Sequence, residues 1–237
     1  MNNNISEKIY KKIKKLRLAA PYYNNAFKYG VELNKKLDIL VSKQIASMMI
    51  SNEEIKIIEK YIKNNNLKID SVKGGKTNIF YPKNMYRTHM DYDFLSSNIK
   101  DAFILINYLI NIRGFRLVVG GSVPFSFKTV FDNQKNETLT GHIHLEKVLQ
   151  DRYQVIIDIN MGGFPLGRTS LIKCNDNGKL DLEDLICITL AHLFKHEHAF
   201  IKDINDLYYL LESSEVNKEL LLKKSMIITL KIYFFNL

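Results

Sequence analysis

Over the first quarter of the chain, residues 6–64, apolar residues recur at intervals of three and four with charges between them. This spacing puts the apolar side chains on one face of a helix and predicts a helical segment. Ser51-Asn52-Glu53-Glu54 has the pattern of a capping box, in which a hydroxyl and a carboxylate bind the free amides of a first turn. The sequence therefore predicts that one helix begins at Ser51 and ends at the asparagines 64–66.

The middle of the chain changes to the alternating, aromatic and β-branched pattern of strands. Strands are predicted at residues 67–72, 91–95, 115–119, 122–130, 142–147 and 153–159, with one buried helix at 97–112 that Ser97 caps. From Asp181 the pattern is helical to the end. This order predicts an α+β fold: an N-terminal basic helical segment (1–66), a core with a small mixed β-sheet (67–175) and a C-terminal helical lobe (176–237).

Composition narrows the class of protein and its partners. The chain has 237 residues, 46% of them hydrophobic and 25% charged, which excludes a disordered or fibrous protein. Its formal net charge is +9, and residues 1–43 hold ten Lys and Arg against three acids. Such a segment is typical of proteins that bind RNA, a membrane surface or phosphorylated substrates, and it is equally typical of a solvated helix face.

Two further features bear on the compartment. No apolar stretch reaches the roughly 20 residues that span a bilayer, and no signal-peptide pattern opens the chain. The only cysteines, Cys174 and Cys187, form neither a disulfide framework nor a zinc motif. We therefore expect a cytoplasmic protein with no membrane span and with reduced thiols.

Candidate chemistry is concentrated in three acids on predicted strands. Asp91 and Asp93 share one strand face because side chains alternate, so Tyr92 must face the other way. Asp158 lies near the end of the predicted strand 153–159 and is the only acid on it; Val155 and Ile157 would face the core, and Asp158 the opposite side. Carboxylates held together repel each other unless cations neutralise them, and hard oxygen ligands suit Mg²⁺. Three acids in this arrangement can hold two metal ions.

Other polar groups are arranged around these acids. Gly74-Gly75 follows a strand and allows backbone amides to approach a phosphate. On a continuous helix, Lys195, His198, Lys202 and Asp206 form one polar stripe, and Ile201, Ile204, Tyr208 and Leu211 form an apolar face. His142 and His144 share a strand face and could bind a metal, but no nearby Cys or third His completes a ligand set, which favours a structural or acceptor-site role. His192 and His196 lack the glutamate of a zinc peptidase.

The order of these motifs resembles the polymerase-beta-like nucleotidyltransferase superfamily. Lys73-Gly74-Gly75, then Arg87-Thr88-His89-Met90-Asp91-Tyr92-Asp93-Phe94-Leu95, is similar to a bacterial group of uncharacterised nucleotidyltransferases. Lys202-Asp203-Ile204-Asn205-Asp206-Leu207 is similar to the abortive-infection, toxin-type members. The resemblance covers about residues 67–212. The first motif departs from many relatives, which have Ser where this chain has Gly75.

The resemblance implies a role for each matching residue. Asp91 and Asp93 would be metal ligands, and Asp158 would bind the catalytic metal and help activate an acceptor hydroxyl. Nucleotide binding would fall to Gly74, Gly75, Arg87, Lys202 and Asp206. The implied activity is transfer of a nucleoside monophosphate from an NTP with two Mg²⁺ ions, which Mn²⁺ could replace.

Two questions stay open at the level of sequence. The acceptor is either RNA, such as a tRNA end, or a protein, peptide or small molecule; the basic N-terminal segment favours RNA. The alternative to an enzyme is a catalytically weak module that binds nucleotide or RNA, which Gly75 favours and the retained acids disfavour. The apolar end Phe234-Phe235-Asn236-Leu237 indicates a contact with a protein partner or with the N-terminal helices.

Overall fold

The computed structural model describes residues 7–15, 19–30, 32, 34–83, 85, 87, 89, 91–118, 124–131, 137–165, 171–195 and 201–225. Three helices open the described chain: α1 (Glu7–Lys15), α2 (Ala19–Lys28) and α3 (Lys35–Asn64). Ile13, Ala19, Leu37 and Val41 are buried together where these helices pack. The predicted N-terminal helical segment is confirmed for these residues, although α3 is much longer than the helix expected to begin at Ser51.

The long helix α3 begins at Asn34, whose side chain accepts a hydrogen bond from the Lys36 amide at 3.0 Å. Ser51 is a buried residue inside this helix, so the predicted capping box was wrong. The Glu54 carboxylate instead binds Arg113 at 2.9 and 2.8 Å and Lys147 at 3.1 Å. The helix continues through Ser51 because no Gly or Pro interrupts residues 35–64.

The centre of the fold is a six-stranded mixed sheet. Its strands are β1 (Ile69–Val72), β2 (Asp91–Ser96), β3 (Arg116–Leu117), β4 (Phe125–Phe131), β5 (Glu137–Leu149) and β6 (Tyr153–Met161). The spatial order is β1-β2-β6-β5-β3, with β4 also paired to β5. The β2–β6 pair is parallel and the other pairs are antiparallel. A two-stranded sheet, β7 (Phe164–Pro165) with β8 (Leu171–Ile172), follows.

The helices divide between the two faces of this sheet. On one face, α3 and α5 (Ile99–Asn111) bury a core with alternate residues of β2, β5 and β6, including Phe94, Leu145 and Ile157. The short α4 (Gly74–Thr77), with the 3-10 helix Asn78–Phe80, follows β1. The cap of α5 is one position from the predicted Ser97: the Asn98 side chain accepts a hydrogen bond from the Lys100 amide at 2.9 Å.

On the other face, α6 (Leu182–Lys195) and α7 (Ile201–Leu211) bury a second core that includes Val72, Leu95 and Leu210. The predicted helical region from Asp181 consists of separate helices, since 212–217 separate α7 from a further helical stretch at 218–225. The expected apolar face of α7 was also wrong: Ile204, Tyr208 and Leu211 are about half exposed. Asp203 and Asp206 are buried instead: Asp206 forms an ion pair with Arg87, and Asp203 Oδ2 lies 3.9 Å from His192 Nδ1.

The described part of the chain is therefore a mixed α+β structure. None of its helices combines the length and the apolar character needed to cross a membrane. The apolar residues Phe234 to Leu237, expected to contact a partner, lie outside the described residues, as does His198 of the predicted polar stripe.

Candidate functional site

The three acids singled out from the sequence lie on adjacent strands of one sheet face. Asp91 and Asp93 alternate along β2 with Tyr92 and Phe94, whose rings are buried in the core on the opposite face. Asp158 lies on the parallel neighbour β6, in register with Asp93. Neighbouring strands are about 4.8 Å apart, so this register places the two carboxylates side by side.

The grouping of these acids perturbs their proton affinity. The pKa of Asp93 is raised to about 7, mainly because the carboxyl is buried; the charges of Asp91 and Asp158 also raise it, and the charge of Lys73 lowers it. Burial also raises the pKa of Asp158, although His144 lowers it through its charge and a hydrogen bond. Carboxylates that hold protons this strongly are energetically poised to exchange them for a bound cation.

A lysine approaches the acids from the end of β1. Lys73 Nζ lies 3.9 Å from Asp93 Oδ1, and the lysine side chain is mostly buried. Its backbone has φ +56°, a conformation that non-glycine residues rarely adopt and that costs free energy. The turn is therefore held by its surroundings, and it directs a positive charge at the site.

The two glycines after Lys73 are not equivalent. Gly74 has φ +29°, and a Cβ built there would lie 3.2 Å from the Asp91 carbonyl oxygen, so the turn packs directly on β2. A Cβ at Gly75 would have no atom within 4 Å. Lys76, the next residue, binds the Asp70 carboxylate and donates to the Leu180 carbonyl at 3.2 Å, which anchors the turn to the segment before α6.

The helix α7 supplies a second cation. The charge of Lys202 lowers the pKa of Asp93 and is the smallest of the causes that act on this carboxyl. Lys202 Nζ lies 3.7 Å from Asp203 Oδ1. Lys73 therefore contacts the acid cluster directly, and Lys202 acts on it through its charge.

Arg87 and Asp206, both expected to bind nucleotide, bind each other. Arg87 donates from Nε to Asp206 Oδ1 and from Nη2 to Oδ2, each at 2.7 Å, and the Tyr81 hydroxyl donates to Oδ1 at 2.6 Å. Both members of the ion pair are almost fully buried. In this arrangement they join the segment before β2 to α7, and so hold Lys202 near the acids.

His142 and His144 extend the site across β5. His144 lies opposite Asp158 in the antiparallel β5–β6 pair, and its Nδ1 contacts Asp158 Oδ1. His142 Nε2 lies 4.0 Å from Asp158 Oδ2. Asp158, a residue of the acid cluster, therefore lies where a third candidate ligand beside this histidine pair would stand.

Sequence reasoning missed two features of the site: the position of Lys73 beside Asp93 and the link between the histidines and Asp158. The first had a local signal, since Lys73 directly precedes the glycine turn. The second had none, because it depends on the register between β5 and β6. No family model, curated protein or solved structure matches the chain.

Proposed function

We propose that this protein is a Mg²⁺-dependent nucleotidyltransferase that transfers a nucleoside monophosphate from an NTP to a hydroxyl acceptor and releases pyrophosphate. The single observation that carries the proposal is the register of Asp93 with Asp158 on parallel strands, with Asp91 on the same face. This arrangement gathers three carboxylates, with Lys73 beside Asp93 and the charge of Lys202 acting on it, which is the charge pattern expected for a metal and polyphosphate site.

The donor set fits the metal that the resemblance implies. Asp91, Asp93 and Asp158 offer hard oxygen ligands, and the pKa of Asp93 is raised mainly by burial and also by the charges of the other two acids. These three residues would hold Mg²⁺. When bound, two such ions stabilise negative charge on the entering and leaving oxygens of a phosphoryl transfer.

The remaining residues would bind and orient the nucleotide. Lys73 and Lys202 carry the positive charge available to a triphosphate, since both lie close enough to act on Asp93. Gly74 lets the turn approach the backbone of β2, so that Lys73 is held over the acids. The Arg87–Asp206 pair would not touch the nucleotide; its role would be to position α7.

The basic N-terminal segment supports RNA as the acceptor. Lys8, Lys11, Lys12 and Lys14 on α1 are exposed to solvent. Exposed lysines are able to bind phosphates of a polynucleotide, with an affinity that falls as salt is raised. A protein, peptide or small-molecule hydroxyl is the other class of acceptor that the experiment below must resolve.

The test is incubation of the purified protein with each α-³²P-labelled NTP, Mg²⁺, total RNA and lysate protein. The same reactions would contain the variants Asp91→Asn and Asp93→Asn, and the control Asp151→Asn, which changes an exposed acid in the turn between β5 and β6. We expect label to enter one acceptor class with wild type and control, and to be lost in both site variants.

Three results would count against the enzyme. Transfer that persists in both site variants would rule out the acid cluster as its origin. Nucleotide binding without transfer from any NTP would favour the catalytically weak binding module. Absence of both binding and transfer would refute the proposal, provided that circular dichroism shows the wild type to be folded.

A further inference from the structure

Two histidines and one acid converge on the exposed side of the site. His142 and His144 are two residues apart on β5, so their imidazoles project from the same face. Their rings are perpendicular, with centroids 4.1 Å apart. One ring nitrogen of each histidine and one oxygen of Asp158 all lie within 4.8 Å of one another.

These separations are close to those that a metal ion requires. Zinc binds imidazole nitrogen and carboxylate oxygen at about 2.0–2.2 Å, so two ligands of one ion are roughly 3–4 Å apart. The His142 Nε2 to Asp158 Oδ2 distance is 4.0 Å, and His144 Nδ1 already contacts the other carboxylate oxygen. Small side-chain rotations would therefore bring all three groups to one ion, without movement of the strands.

We infer that His142, His144 and Asp158 form a binding site for a first-row transition metal ion, with Zn²⁺ as its representative. The site is chemically different from the oxygen-only pair Asp91 and Asp93. Imidazole nitrogen favours Zn²⁺ and similar ions, whereas Mg²⁺ prefers oxygen ligands and releases its water reluctantly. The histidine pair thus selects a different ion from the one that the acid pair selects.

The surroundings favour a site of three protein ligands that is open on one side. Asp158 is nearly buried, whereas the side chains of His142 and His144 keep 31% and 23% of their exposure. All three ligands project from paired strands, which hold their spacing rigidly. A tetrahedral ion with three protein ligands keeps one position for water or substrate.

Asp158 belongs to both sites, so an ion held by the histidines would lie beside Asp91 and Asp93. The inference nevertheless does not rest on nucleotidyl transfer, because metal binding by these side chains needs neither nucleotide nor acceptor. It is therefore testable on the protein alone.

The test is a Zn²⁺ titration of chelator-treated protein by isothermal calorimetry, combined with ¹⁵N NMR of histidine-labelled protein. The variants are His142→Gln and the double change His142→Gln with His144→Gln. The matched control is His192→Gln, on α6. We expect one tight Zn²⁺ site and shifted ring-nitrogen signals of two histidines. We also expect affinity to fall by at least about tenfold in the double variant, with the control unchanged.

Two further arms complete the design. Asp91→Asn should abolish the proposed transfer and keep the Zn²⁺ site, so failure of the enzyme and failure of the metal site are distinguishable. A hundredfold excess of Mg²⁺ should not displace Zn²⁺. Zn²⁺ binding that is unchanged in the histidine variants, wild-type ring-nitrogen signals that do not shift, or displacement by Mg²⁺ would each overturn the inference. If the double variant does not fold, the wild-type ring signals and His142→Gln decide.

Discussion

Replacing Asp93 by Asn should make the metal-free protein more stable at alkaline pH. The side chain keeps its shape but loses a charge that is unfavourable in the folded state. Burial, with Asp91 and Asp158 nearby, raises the pKa of Asp93 from an ordinary 3.8 to about 7. The carboxylate of Asp93 therefore opposes folding whenever it is ionised.

The sign and size of this effect follow from linkage. Below pH 3.8 Asp93 is protonated in both states and costs nothing. As pH rises toward 7 the unfolded chain has released this proton while the folded protein still holds it, so stability falls. A pKa difference from 3.8 to about 7 corresponds to roughly 4 kcal/mol at pH 8, which is an upper value because local solvent relaxation reduces it.

The assay is thermal unfolding of metal-free wild type, Asp93→Asn and the exposed control Asp151→Asn, followed by circular dichroism from pH 4 to pH 8.5. For a chain of this length about 2–4 °C of Tm accompanies each kcal/mol, so an upper value of roughly 4 kcal/mol corresponds to a gain of at most about 16 °C for Asp93→Asn. At pH 4 it should nearly vanish, and the control should stay near wild type throughout. A gain of equal size at pH 4 and pH 8.5, or a loss at pH 8.5, would refute the electrostatic argument.

Three other results follow from the same geometry. Added Mg²⁺ should raise the Tm of wild type more at pH 8 than at pH 5.5, because the cation replaces a proton; an equal increment in Asp93→Asn would contradict this. In urea titrations, Gly74→Ala should lower the free energy of unfolding by about 1–2 kcal/mol, because Gly74 has a positive φ and packs on β2. Gly75→Ala should lower it by less than about 0.5 kcal/mol. Equal losses would exclude the close packing of the turn. Arg87→Ala should cost about 3–5 kcal/mol by leaving Asp206 buried and unpaired, whereas Arg87→Met with Asp206→Leu should cost less; a larger loss in the double variant would show that the pair itself stabilises the fold.

Much of the secondary structure could be predicted because its signals are local. The alternation in residues 91–95 and 153–159 predicted β2 and β6, and the same period of two placed Asp91 and Asp93 on one face. The capping box at Ser51 led to a wrong prediction, although its signal is also local. It is a local pattern that a longer run of helix-compatible residues overrides.

The helix α7 shows a second limit of local patterns. Hydropathy predicted that Ile204, Tyr208 and Leu211 would face the core, yet these side chains are about half exposed. Asp206 is buried instead, and Arg87 neutralises its charge. These two residues are 119 positions apart in the sequence, so no local pattern indicates their contact. The buried side of α7 therefore combines the Arg87–Asp206 ion pair with Leu207 and Leu210, which pack in the second core.

The sequence by itself determined which residues are candidates for the site and that Asp91, Asp93 and Asp158 lie on strands, because side-chain period and residue type are properties of short segments. The tertiary structure alone decided which of them meet. Asp158 lies beside Asp93 because β2 and β6 are parallel in one register, and it contacts His144 because β5 and β6 are antiparallel in another. Both registers depend on packing between segments far apart in the chain, and a shift of one residue in either would turn these side chains to the opposite face.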